Sequence, residues 1–213
     1  MELTYAKNSK EEVPFGLYME QYAAMDPKEA AKRLQIPYDE EKQLFTISML
    51  QQPYEVSWPD LTVRHVDSRE GMYYAAEVEI PAKIFFLRYL LQGVSAESTG
   101  RFLTYREVPS GEVYFRQFSG RCLSRLAFGF GFKPDRFAVA MEALGAKKLE
   151  HGDVSYEIEF INRHFVRFIL WIGDDEFPPS AQMLFSDNFP MNFTPEDLAV
   201  VGDISINTMK KIN

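Results

Sequence analysis

Residues 171–180 read WIGDDEFPPS: three consecutive acids, Asp174, Asp175 and Glu176, stand between Trp171 and Phe177, and a double proline closes the run. Carboxylates can hold a hard cation, which needs several oxygens arriving from different chain directions. They can also work as an acid–base pair facing across a cleft. Neighbours on one turn rarely aim at one point, so the first expectation is a solvated turn. A binding loop is the second, since aromatics and acids at the end of a strand are a common recognition site.

Opposite charge gathers earlier in the chain. Residues 101–136 carry seven bases (Arg101, Arg106, Arg116, Arg121, Arg125, Lys133, Arg136) against three acids (Glu107, Glu112, Asp135). Between Phe168 and Met209 there is no Lys or Arg, and seven acids: Asp174, Asp175, Glu176, Asp187, Glu196, Asp197 and Asp203. Arg121 and Arg125, four apart, share a helix face. Two outcomes follow for the arginines. They pair with the acidic tail, which the abundance of counter-charge favours, or they present an anion site for a phosphate or carboxylate.

Other candidates have plainer explanations. There is no G-x-S-x-G elbow and no phosphate-binding G-x-x-x-x-G-K-[ST] loop. GFGFKP at 129–134 resembles half of a dinucleotide fingerprint, but Pro134 replaces the last glycine and a helix precedes it, so a helix-to-helix turn is expected. His65, His151 and His164 lack the close spacing of zinc ligands. Cys122 among apolar neighbours reads as a buried thiol. Thr194-Pro195-Glu196-Asp197 fits a capping box, with Phe193 and Leu198 as its hydrophobic staple.

The elements that must position these residues can be laid out from the pattern. Two short helices are expected over 15–34, the second capped by Asp26 and started by Pro27. Strands follow at 43–50, 53–57 and 61–65, then a helix over 82–92, apolar nearly all round and stopped by Gly93. An extended piece and a Pro-Ser-Gly turn lead into a helix over 115–128, and Pro134 opens another that ends at Gly145. Strands at 154–160 and 165–172 flank the Asn162-Arg163 turn, the second apolar on both faces except at Arg167 and therefore central. A short helix over 180–185 and a final helix from Pro195 complete the chain. The Phe177-Pro178 bond is a candidate for the cis form. Because strands and helices do not alternate regularly, the expected class is α+β: one domain over 1–213, mainly antiparallel sheet with helices packed against it.

Bulk composition agrees. At 213 residues, 46% of them apolar and with 18 Phe and 11 Tyr, the chain can build an aromatic-rich core. A net charge of −8 disfavours nucleic acid as a partner. No apolar run reaches bilayer length and MELTYAKNSKEEVPF lacks a signal peptide's apolar segment, so no membrane partner and a cytoplasmic location are expected. One cysteine excludes an internal disulfide and a four-cysteine cluster.

WIGDDEFPPSAQMLFSDNF followed by FTPEDLAVVGDI resembles the C-terminal signature of the family called domain of unknown function 3786. That signature is a Trp-x-Gly-Asp-Glu-Glu-Phe-Pro-Pro-x-Ala core, a Leu-Phe-Asp step and a Thr-Glu-Asp-Leu-Ala helix start. IFFLRYLLQG, FLTYREVPSGEVYFRQFSGR, FAVAMEALGA and LEHGDVSYEIEF agree in order, and the resemblance covers about residues 15–205. Asp175 stands where Glu is commoner, Ser186 intervenes before Asp187, and Pro195 is extra. The family carries no assigned activity and names no cofactor. Its occurrence in anaerobic bacteria and archaea, sometimes beside iron–sulfur domains, implies a place in anaerobic metabolism.

Two functions are therefore expected in competition. The first is a non-catalytic binding or accessory module in which Arg106, Arg121 and Arg125 join Trp171, Asp174, Glu176 and Phe177 to contact an anionic small molecule or a protein. The second is a hard-cation enzyme using Asp174, Glu176 and Asp187, with Arg106 stabilising negative charge.

Overall fold

The computed structural model describes the backbone of residues 9–212 and the side chains of residues 13–212. Helix α1 (Ser9–Ala24) is followed by α2 (Pro27–Leu34), whose cap Asp26 accepts from Lys28 N at 2.8 Å and Glu29 N at 3.2 Å. Next come β1 (Tyr38–Asp39), β2 (Leu44–Met49), β3 (Gln52–Ser57) and β4 (Val63–His65), an antiparallel sheet in that order. Leu50 and Gln51, both at positive φ (51° and 60°), make the two-residue turn between β2 and β3.

Short α3 (Ala75–Val78) precedes α4 (Ile80–Gln92), which buries Ala82, Phe85, Phe86, Leu87, Tyr89 and Leu90. After β5 (Phe102–Thr104) the chain becomes continuously helical earlier than the pattern suggested. Helix α5 (Gly111–Phe118) runs through a π-helical turn (Ser119–Leu123) into α6 (Ser124–Phe130). Helix α7 (Pro134–Ala143) and β6 (Lys147–Leu149) lead into the long hairpin β7 (Val154–Ile161) and β8 (His164–Trp171). Strand β9 (Ser180–Ser186) and α8 (Pro195–Lys211) end the fold.

The second sheet is antiparallel with order β5-β9-β8-β7-β6, so β8 is central as its two apolar faces required. Its exception, Arg167, bonds Glu157 at 2.7 Å and lies 3.7 Å over the Phe102 ring. Segment 180–185 corrects the helix expectation: it is β9, paired with β8 on one side and β5 on the other. Ala, Gln, Met and Leu are good helix formers, but two ladders and the burial of Met183 and Phe185 override that preference. The cis expectation also fails, since the cis bond among the described residues is Trp58-Pro59. Backbone bonds Leu50 N to Phe160 O (2.8 Å) and Gln51 N to Glu159 O (2.9 Å) tie the first sheet to the second. One face of the first sheet, carrying Thr46, Glu55 and Arg64, is exposed, and both sheets share one aromatic-rich core. No described helix is long and apolar enough to cross a membrane.

Candidate functional site

The charge sorted along the chain partly recombines in space. Arg121 in the π-helical turn and Arg125 on α6 both grip the carboxylate of Asp203 on α8, and Arg125 also donates to Asn207 Oδ1 at 2.7 Å. For these two, internal pairing is what forms. Arg106 stays local, bonded to Glu112 at 3.2 Å and lying 3.9 Å over the Phe115 ring. Among the described residues no hydrogen bond or ion pair joins Arg106, Arg121 or Arg125 to the 171–179 loop. No such bond links the two halves of the expected surface, although Leu123 and Ser124, neighbours of Arg121 and Arg125 in sequence, share a hollow with Pro179.

That loop is a built turn. Asp174 accepts from Phe177 N at 2.7 Å and Glu176 N at 2.9 Å, while Asp174 N donates to Phe177 O at 2.9 Å. These backbone donors hold the Asp174 carboxyl below its ordinary range. Asp153 accepts from Ile172 N at 2.8 Å. Gly173 N donates to Gly131 O at 3.2 Å, docking the loop on the α6–α7 turn. A Cβ on Gly173 would stand 2.6 Å from the Pro179 backbone N and 2.9 Å from Phe132, so only glycine allows this approach. Phe128 and Pro179 line one shallow hollow. The result is a group of exposed apolar side chains from both segments: Phe177 (67%), Phe128 (63%), Phe132 (58%), Ile172 (45%) and Trp171 (41%). Asp153, Asp174, Asp175 and Glu176 stand among them, and none makes an ion pair with a described residue.

Asp187 serves a different end of the molecule. It accepts from Ser98 Oγ (2.7 Å), Thr99 N (3.0 Å) and Thr99 Oγ1, and the Thr99 and Ser98 hydroxyls hold its carboxyl below the usual range. Asp174 precedes β9 and Asp187 follows it, so the strand sets them about 20 Å apart. One cation cannot bridge that span. Among the described residues no three His, Cys, Asp or Glu side chains are gathered as a metal site.

The family model described as Domain of unknown function (DUF3786) matches residues 26–208. The chain belongs to that family. No curated protein and no solved structure matches it. Within this DUF3786 chain the matched region begins at the Asp26 cap and ends in the last turn of α8, taking in both sheets and leaving α1 outside.

One hollow of the DUF3786 chain was not announced by its sequence. A cleft of about 470 Å³ opens between α1 (Pro14, Tyr18), α4 (Pro81, Ile84, Phe85, Arg88), the π-helical turn (Arg121) and α8 (Glu196, Asp197, Val200). Asp197 is buried and ion-paired with Arg88. It also completes the expected capping box, accepting from Thr194 N (2.8 Å) and Thr194 Oγ1 (2.7 Å). Arg121 and Glu196 also line a smaller neighbouring hollow with Tyr105 and Tyr114. The signal available in sequence was Arg88 itself: an arginine on a nearly all-apolar helix that contains no acid.

The remaining reactive types are structural. Cys122 is fully buried, 3.4 Å from Ala199 O, and burial pushes its thiol up to about 12. His164, also buried, has Nδ1 at 2.9 Å from Asn162 O and 3.1 Å from Ile161 O, so Nδ1 carries the proton. Its Nε2 then accepts from Asn192 Nδ2 at 3.0 Å. Burial lowers its pKa.

Proposed function

We propose that this DUF3786 chain is a non-catalytic binding or accessory module of the cytoplasm, and that its recognition surface is the 171–179 loop with the 128–132 segment beneath it. The occupant is a protein segment that presents basic and apolar side chains together. The supporting observation is the coincidence in the loop of exposed Trp171, Ile172 and Phe177 with carboxylates that have no cationic partner among the described residues. Aromatics supply the buried anchors of interfaces, and uncompensated charge at their rim selects the sign of the partner and speeds its approach. A pre-formed turn, closed by Asp174 and docked through Gly173, lowers the ordering cost of association. Arg106, Arg121 and Arg125 are occupied elsewhere and belong to the scaffold in this reading.

The test is an array of twelve-residue peptides of systematically varied charge and aromatic content, probed with the intact chain. Binding peptides should be enriched in Lys or Arg beside apolar residues. Trp171→Ala with Phe177→Ala should weaken them by about 2 kcal/mol, roughly 30-fold. Asp175→Lys with Glu176→Lys should abolish the preference for bases, and Arg106→Ala should change nothing. Enrichment of acidic peptides, or retention by the loop variants, would overturn the proposal.

A further inference from the structure

We propose that the cleft between α1, α4 and the start of α8 binds a small amphipathic monoanion: a carboxylate at the end of an apolar body. The floor is a single row on α4, Pro81, Ile84, Phe85 and Arg88, at i, i+3, i+4 and i+7. Pro14 and Tyr18 of α1 form one wall, and Val200 of α8 faces them. Apolar side chains thus lead to one guanidinium. The volume, about 470 Å³, lies in the range of small-molecule sites.

The headgroup is indicated by the incomplete bonding of Arg88. Its Nη1 is taken by Asp197, while its Nε is buried and meets no acceptor among the described residues. Asp197 cannot supply the missing acceptor, because its Oδ2 is occupied by Thr194 N and Thr194 Oγ1. A guanidinium binds carboxylates through pairs of parallel N–H groups, and Nε with Nη2 forms such an edge. Among the described residues Nη2 makes no hydrogen bond either. The Nε–H has no accessible surface, so an acid entering the cleft meets Nη2 first and reaches Nε only as the Arg88 side chain shifts. An apolar-bodied acid would bring both the acceptor and the cover that keeps the pair dry. Arg121, whose guanidinium is held by Asp203, adds positive charge to the opposite wall. Glu196 stands in the same lining without an ion-pair partner among the described residues, and its charge disfavours a second negative charge on the ligand. A monoanionic carboxylate is therefore favoured over a phosphate dianion. This site is separate from the 171–179 loop and does not depend on the reading of that loop.

The experiment titrates 3-phenylpropionate and octanoate into the intact chain, followed by backbone amide NMR and thermal shift. Octyl phosphate, octanol and octylamine are the comparison arms. Saturable binding of the two carboxylates is expected, with shifts confined to α1, α4, the π-helical turn and α8. Octanol and octylamine should bind at least tenfold more weakly, and octyl phosphate should lose affinity as it takes its second charge. Arg88→Lys keeps a cation beside Asp197 but removes the fork, and should weaken the acids at least tenfold. Ile84→Trp, which fills the floor and leaves the Arg88–Asp197 pair in place, should block them. Glu196→Gln should tighten octyl phosphate, and Phe177→Ala should leave every arm unchanged. No binding at millimolar acid, equal binding of octanol, or undiminished binding by both Arg88→Lys and Ile84→Trp would overturn the proposal.

Discussion

Asp197 shows how one side chain can be read correctly and still be read too narrowly. Its place at the third position of α8 predicts the capping box, which forms with Thr194. Its other oxygen then pairs with Arg88, more than a hundred residues earlier in the chain. The side chain of Asp197 is only 4% exposed, so removing it leaves a guanidinium without its counter-charge and a helix without its cap. Breaking a buried pair costs about 3–5 kcal/mol. Asp197→Ala should therefore lower the unfolding free energy by about that much in urea titration. Arg101→Ala, at the exposed Arg101–Glu107 pair, should lower it by less than about 1 kcal/mol. Equal losses from the two would mean that the Arg88–Asp197 pair is hydrated and contributes little.

Elements were legible wherever local chemistry decided them. Asp26, Gly93, Pro134 and Thr194 mark helix ends because capping depends on neighbours a few residues away. Central β8 was legible because apolar residues on both faces leave it no other place. Strand β9 was not, since AQML favours helix locally and only pairing with β5 and β8 makes it a strand. Charge sorting gave the sign of the Arg121 and Arg125 partner but not its identity as Asp203, some eighty residues away. The cleft escaped because it belongs to three helices and the π-helical turn at once, and no single element carries its outline. Loop 171–179 was legible as a turn, whereas its seat on the α6–α7 turn was not. That seat yields a prediction at this scale. Gly173→Ala puts a methyl against the backbone of Pro179, which cannot move away as a flexible side-chain end would. Amide exchange at position 173 and at Phe177 N should accelerate at least tenfold in a Gly173→Ala chain with little change in β7 and β8 amides. Unchanged protection at both sites would show that the loop is not held through Gly131.

Across the whole molecule, buried titratable groups set the pH range over which the fold is stable. His164 is held neutral by burial, with both ring nitrogens engaged, and burial lowers the pKa of His65 as well. Their unfolded pKa is about 6.5. Above that value both states bind the same protons and stability is full. Below it the unfolded chain gains protons that the folded chain refuses, so stability falls as pH drops toward the lowered folded values. The alkaline limb has the opposite sign. Burial raises Cys122, Tyr105 and Tyr156 to about 12, whereas their unfolded values are about 8.5 for the thiol and about 10 for the phenols. Stability is therefore full below about 8.5 and declines as pH rises through that range. Urea unfolding between pH 5 and 10 should give a plateau from about 6.5 to 8.5 with a decline on each side. His164 alone contributes an acid slope of at most about 1.4 kcal/mol per pH unit. His164→Gln should start less stable at pH 8, having lost matched hydrogen bonds, and lose less on going from pH 6.5 to 5. A wild-type curve flat over that interval would show that the buried imidazole accepts a second proton without cost, contrary to its two carbonyl contacts at Nδ1 and the Asn192 donor at Nε2.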